Sequence, residues 1–202
     1  MKLIVLIILV NVVVFIFQNV VPELTGMFML ISADVISRPW VILTSMFLHG
    51  SLMHLFYNMF ALFLFGLILE SIIGGNRFIL VYFLSGTVAS VSSVFFYDAA
   101  LGASGAVYGV LGCLAMLRPK MVVWTYYVPM PMYAAIIFWA LLDLAGVFYP
   151  TNIANIAHLT GLFSGLVFGW RFKMFKVVEK RKKQKVINDK ELDEWEKHVF
   201  KK

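Results

Sequence analysis

Residues 78–97 read FILVYFLSGTVASVSSVFFY and residues 99–117 read AALGASGAVYGVLGCLAML, with Asp98 the only charge between Arg77 and Arg118. About 20 apolar residues in a helix are enough to cross the hydrocarbon core of a bilayer. With no water there to satisfy backbone N–H and C=O groups, a spanning segment must be helical or part of a closed barrel. Neither run alternates apolar with polar positions as barrel strands do. Both are read as transmembrane helices.

The same reading extends outward to charge-free stretches at 3–22, 39–69, 121–142 and 144–170. It predicts an all-α polytopic membrane protein with six transmembrane helices near 3–21, 51–70, 78–97, 103–118, 132–149 and 153–171. These form one membrane domain over 1–172, followed by a basic tail over 173–202. Composition agrees: 61% of residues are hydrophobic and 14% charged, against about 45–50% and 25% in soluble domains. That excludes an ordinary cytosolic globule and a disordered chain. The first run is too long for a signal-peptide core and no A-x-A-like cleavage site follows, so it is expected to stay. The connection over 22–50 is too rich in Leu, Met, Phe and Ile for a solvated loop, and is expected to lie partly in the outer interface.

Charge sets the orientation. Residues 1–170 hold five basic and five acidic side chains, and residues 171–202 the other twelve and six, so the whole net +6 lies in the tail. Placed behind a hydrophobic body, this excess predicts a tail near anionic lipid and no nucleic-acid partner. Within the tail, Leu192, Trp195 and Val199 fall on one helical face. With six spans, both termini share a side with the 71–77 and 118–131 loops. That side collects Lys2, Arg77, Arg118, Lys120 and the run from Arg171 to Lys185, leaving Arg38 alone opposite. The positive-inside rule then puts both termini in the cytoplasm. Cys113, the single cysteine, excludes an internal disulfide and is expected simply to pack.

Polar side chains inside the spans carry the functional reading, because burying them in a bilayer is costly. His49-Gly-Ser-Leu-Met-His54-Leu-Phe-Tyr-Asn58 opens the second helix, and His54 and Asn58 share a face. Gly102-Ala103-Ser104-Gly105 opens the fourth, so Ser104 sits at a helix N-terminus, where free N–H groups favour negative charge. The sixth carries Asn155-Ile-Ala157-His158-Leu-Thr-Gly161-Leu-Phe-Ser-Gly165, then Gly169. Gly161, Gly165 and Gly169 form one small-residue stripe, and Gly105, Gly109 and Gly112 another; such stripes let backbones approach closely in lipid. Stripe-on-stripe packing would bring the Ser104 hydroxyl towards the His158 imidazole and leave Leu162 facing lipid. Singly, each residue has a plainer reading as a cap, a structural hydrogen bonder or a packing contact. Together, a serine, a histidine and a His/Asn pair are the nucleophile, base and oxyanion donors of acyl transfer.

At these residues the chain resembles the rhomboid family of intramembrane serine proteases, in its prokaryotic six-helix form. His49, His54 and Asn58 meet H-x(4)-H-x(3)-N; Gly102 to Gly105 meet G-x-S-G, with Tyr108 one turn later. Ala157, His158, Gly161 and Gly165 meet A-H-x-x-G-x-x-x-G, and Glu70, Arg77-Phe78 and Tyr82 resemble the stretch after the second helix. The resemblance covers about residues 38–170. One departure is Trp40-Val41 in place of the family's Trp-Arg, with Arg38 just upstream.

The resemblance implies a rhomboid-like helical bundle in a prokaryotic cell membrane. Ser104 would be nucleophile and His158 general base, as a dyad without the third carboxylate of soluble serine proteases. Tyr108 would pack on the imidazole, and the Ser104 amide, His54 and Asn58 would bind the oxyanion. His49 would be structural or hydrating, and Gly102, Gly105 and Gly161 would support the geometry. Water would reach the site through a cavity open to the non-cytoplasmic side, capped by the loop near Phe148 to Asn152. Substrates would be single-pass membrane proteins, entering beside the fifth helix. No cofactor or metal is implied. A zinc intramembrane protease needs H-E-x-x-H, and neither His49 nor His54 is followed by glutamate. Asp98 and Asp143 lack the G-x-G-D of the aspartyl class. Position 106 is Ala, which breaks the G-x-S-x-G of soluble hydrolases, and a transporter would need repeats and broken helix pairs. The competing reading is a rhomboid-like pseudoprotease that binds transmembrane helices without cutting them. Such proteins typically lack the Ser or the His, and both are present here.

Overall fold

The computed structural model of the chain describes residues 3–149, 153–175 and 194. Helix α1 spans Leu3–Val20, followed by α2, Pro22–Phe28, and the short α3, Val41–Thr44. Helix α4, Leu52–Ala61, passes through a π-turn at Leu62–Gly66 into α5, Leu67–Ile73, which meets α6, Gly75–Phe96. Helices α7, Ser104–Leu117, and α8, Met132–Val147, follow, and α9 runs over 155–175. Helices thus occupy all six stretches that the sequence marks. By length and composition Leu3–Val20, Leu52–Ile73 and Gly75–Phe96 are long enough to cross a membrane, while α7 and α8 are apolar but shorter.

Helix α7 lies at the centre. Ten of its fourteen residues are buried, as expected of a helix that is apolar all round and carries glycines instead of bulk. Helix α1 packs on the outside, with Leu6, Leu9, Val13 and Phe17 about half exposed. Its N-terminus is held by the buried Glu70, whose carboxylate accepts the Leu3 N–H at 3.0 Å and the Ile4 N–H at 3.3 Å. A negative charge there satisfies free N–H groups and the helix dipole. Arg77 lies over the Phe172 ring, joining α6 to α9, and Tyr82 is fully buried beside Phe78.

The 22–50 connection is folded rather than loose. Leu30, Val41, Met46 and Leu48 are buried, while Ile36 and Trp40 face outward. Strand β1, Leu30–Ile31, pairs antiparallel with β2, Ala99–Ala100, tying this segment to the approach to α7. Arg38 braces it by donating to the Gly26 carbonyl at 3.0 Å and pairing with Asp34. Val41 sits in the core, so its position contributes packing and Arg38 supplies the ionic contact.

The second departure from an all-helical chain is a hairpin in the 118–131 loop, β3, Val122–Thr125, with β4, Val128–Pro131. Val123 and Thr125 turn inward and Val122 and Trp124 outward, the alternation of a half-buried strand. Its two-residue turn holds Tyr126 and Tyr127 at φ 48° and 65°, the left-handed pair that matches hairpin twist. The tail face, the basic run past 175 and the 150–152 portion of the expected cap lie outside the described residues.

Candidate active site

Ser104 is the first residue of α7, so its N–H belongs to the helix terminus and lacks an intrahelical acceptor. The turn that delivers it depends on Gly102. Its φ of +125° is a conformation L side chains rarely adopt, and a Cβ there would lie 2.7 Å from His54 Cε1. The Gly102 N–H donates to the Ser45 carbonyl at 2.9 Å, anchoring the turn to the folded 22–50 connection.

The first turn of α4 presents the His/Asn pair. Ser51 caps the helix, its hydroxyl accepting the His54 N–H at 3.1 Å, a standard N-cap bond. His54 Nδ1 accepts the Gly50 N–H at 3.5 Å, which leaves the proton of the neutral ring on Nε2. That Nε2 lies against the 102–104 turn, 2.8 Å from where a Gly102 Cβ would sit. Asn58 Nδ2 donates one hydrogen to the His54 carbonyl at 2.9 Å and keeps another. His49 is buried behind the pair, edge-on to His54 at 5.1 Å between ring centroids. Gln18 of α1 brackets its backbone, accepting its N–H and donating to its carbonyl. Burial pushes the His49 imidazole down to about 4, and the neighbouring His54 ring adds to this.

Helix α9 brings His158. Its ring stacks on Tyr108 at 4.4 Å and 13°. The two glycine stripes do meet: a Cβ on Gly161 would lie 2.1 Å from the Gly105 carbonyl oxygen, and one on Gly165 1.9 Å from that of Gly109. Hydroxyl pairs join α9 to α6, Ser92 with Thr160 at 2.8 Å and Ser85 with Ser164 at 3.3 Å. Backbone contact on one side and hydroxyl pairing on the other are how helices associate where lipid is as apolar as leucine. Leu162, expected to face lipid, is instead buried, because Gly112 packs directly on its carbonyl.

Ser104, His158, His54, Asn58 and Tyr108 line one open cavity of about 1460 Å³. Phe65 and Trp139, in edge contact at 6.3 Å, line it on the α8 side. His49, Gly105 and Gly161 stand behind its wall. Among the described residues no group of three or more His, Cys, Asp or Glu could hold a metal. One contact is absent from the sequence reading: His158 Nδ1 lies 2.9 Å from Asp143 Oδ1, which sets a carboxylate beside this histidine. The only signal for it was a lone acid in the apolar run of α8.

The family described as Rhomboid domain matches residues 37–175. Rhomboid protein 1, mitochondrial, of Saccharomyces cerevisiae is 32% identical over 170 residues, 79% of this chain and 49% of that protein. RHOMBOID-like protein 6, mitochondrial, of Arabidopsis thaliana is 35% identical over 66% of this chain and 44% of its own length. Rhomboid protease GluP of Bacillus subtilis is 36% identical over 62% of this chain and 24% of its own length. The chain spans half or less of these relatives. With the family match extending from the folded connection to the end of α9, the chain is a membrane protein that belongs to the rhomboid family.

Proposed function

We propose that this chain is an intramembrane serine endopeptidase that cuts single-pass membrane proteins in or near their transmembrane segment. The observation that carries the proposal is one cavity lined at once by Ser104, His158, His54 and Asn58. That a family relative is by name a protease supports the same reading. Ser104 Oγ attacks the scissile carbonyl while His158 Nε2 takes its proton. The oxyanion is met by the Ser104 N–H, the proton on His54 Nε2 and the free hydrogen of Asn58 Nδ2. His158 then protonates the leaving amine, and water admitted by the open cavity releases the acyl group. Tyr108 holds the imidazole flat, and Gly161 on Gly105 sets its distance from the serine. A helix hides its carbonyls in hydrogen bonds, so substrates with weak helical segments are favoured. Substrate enters beside α8, where Phe65 meets Trp139. The domain is 1–172, with both termini cytoplasmic in a prokaryotic cell membrane and the tail on anionic lipid.

The test is purified protein with a model single-pass substrate, wild type beside Ser104→Ala, read on a gel. Cleavage by the wild type alone is expected. Binding without cleavage would favour the pseudoprotease reading, and cleavage by Ser104→Ala would end the serine-protease one.

A further inference from the structure

Helix α8 reads MYAAIIFWALLDLAGV, with Asp143 its only charged residue, and the carboxyl group is buried. An acid on an apolar helix is costly to bury unless it is paired. Its partner is specific: Oδ1 meets His158 Nδ1 at 2.9 Å, while among the described residues Oδ2 is buried without a close hydrogen bond and the Tyr108 hydroxyl also interacts with the carboxyl group. The pairing is set by the backbone. A Cβ on Gly146, one turn beyond Asp143, would lie 2.7 Å from the side chain of Asn155, one turn before His158. That close approach of α8 to the start of α9 fixes the register in which 143 meets 158. Tyr108 stacks on a face of the imidazole, and with Nδ1 taken by Asp143 the nitrogen left for Ser104, across the same cavity, is Nε2.

We propose that Asp143 is a positioning residue that makes the serine–histidine pair a triad. It holds the neutral imidazole with its proton on Nδ1, so that Nε2 presents a lone pair to the Ser104 hydroxyl. When that proton arrives, the carboxylate stabilises the imidazolium without itself taking a proton. The inference rests on the serine-protease reading above, and one experiment separates them. Wild type, Ser104→Ala and Asp143→Asn are compared for kcat and KM on the same single-pass substrate, with ¹⁵N-histidine spectra of wild type and Asp143→Asn. The carboxamide can offer an N–H to Nδ1 and so favour the wrong tautomer. The expected result is a kcat loss of about 10²–10⁴-fold with little change in KM, and an Nδ1–H tautomer for His158 in the wild type that is lost in the variant. Wild-type cleavage that Ser104→Ala abolishes but Asp143→Asn leaves within threefold would overturn the triad while keeping the serine protease. No serine-dependent cleavage by the wild type would remove the reading on which the triad rests. If Asp143→Asn does not fold, the wild-type spectrum decides: a proton on Nδ1 of neutral His158 supports the proposal, and one on Nε2 overturns it.

Discussion

Replacing Gly161 by alanine adds one methyl group, yet it should damage activity severely. The new Cβ would lie 2.1 Å from the Gly105 carbonyl oxygen, 2.9 Å from its carbon and 3.2 Å from its Cα. All three are backbone atoms, so no side chain can rotate out of the way. Restoring an ordinary separation requires α9 and α7 to part by about 1 Å, a displacement that can cost about 10²-fold in rate. Gly105 adjoins Ser104, and Gly161 is one turn from His158, so the separation opens directly between hydroxyl and imidazole. Overpacking of this kind also costs about 1–3 kcal/mol of stability. The assay is cleavage rate beside melting temperature for Gly161→Ala and for Phe163→Leu, whose side chain is well exposed. The control should keep wild-type activity. Wild-type activity and melting in Gly161→Ala would refute the claim that the α7–α9 glycine contact sets the catalytic distance.

Four further outcomes follow from the same geometry. Ser104→Ala and His158→Ala should each abolish cleavage on a gel, with the double variant no worse, because residues acting as one unit lose their effect together. His54→Ala and Asn58→Ala should each lower kcat, by up to about 10²–10³-fold for a lost oxyanion donor, in protein that still folds by melting curve. Gly102→Ala should lose both activity and melting temperature, since it strains a φ of +125° and strikes His54. His49 stays neutral when folded, its value depressed from 6.5 to about 4. The unfolded chain therefore binds the extra proton first, and stability falls as pH drops from about 6.5 towards 4. His49→Phe should show a smaller fall in melting temperature over that window than the wild type.

What the sequence made legible follows the strength of its local signals. Six charge-free runs announced the helices, because a bilayer forbids charge and unsatisfied backbone over the same length. The glycine stripes announced which helices touch, since a missing side chain at helical spacing has few other uses in lipid. Leu162 shows the limit of that argument. A stripe gives the direction of one contact but not its width, and the α7 backbone reaches one residue further round α9 than spacing suggests. The 122–131 hairpin was hidden for another reason. Its turn is built on Tyr126 and Tyr127 at positive φ rather than on the usual Asn-Gly, so no turn residue marked it. Asp143 was visible as a lone acid, but its partner lies 15 residues on, on a different helix. Only the crossing of α8 with α9 joins them.

Ser104 would be tested as the nucleophile by a serine-reactive fluorophosphonate incubated with the purified protein in lipid, with the modified residue mapped by mass spectrometry. Ser104 as an activated nucleophile predicts a single adduct on Ser104, lost in His158→Ala although that variant still folds. A folded wild-type protein that forms no adduct, or forms it equally well without His158, would mean that Ser104 is not a nucleophile activated by His158.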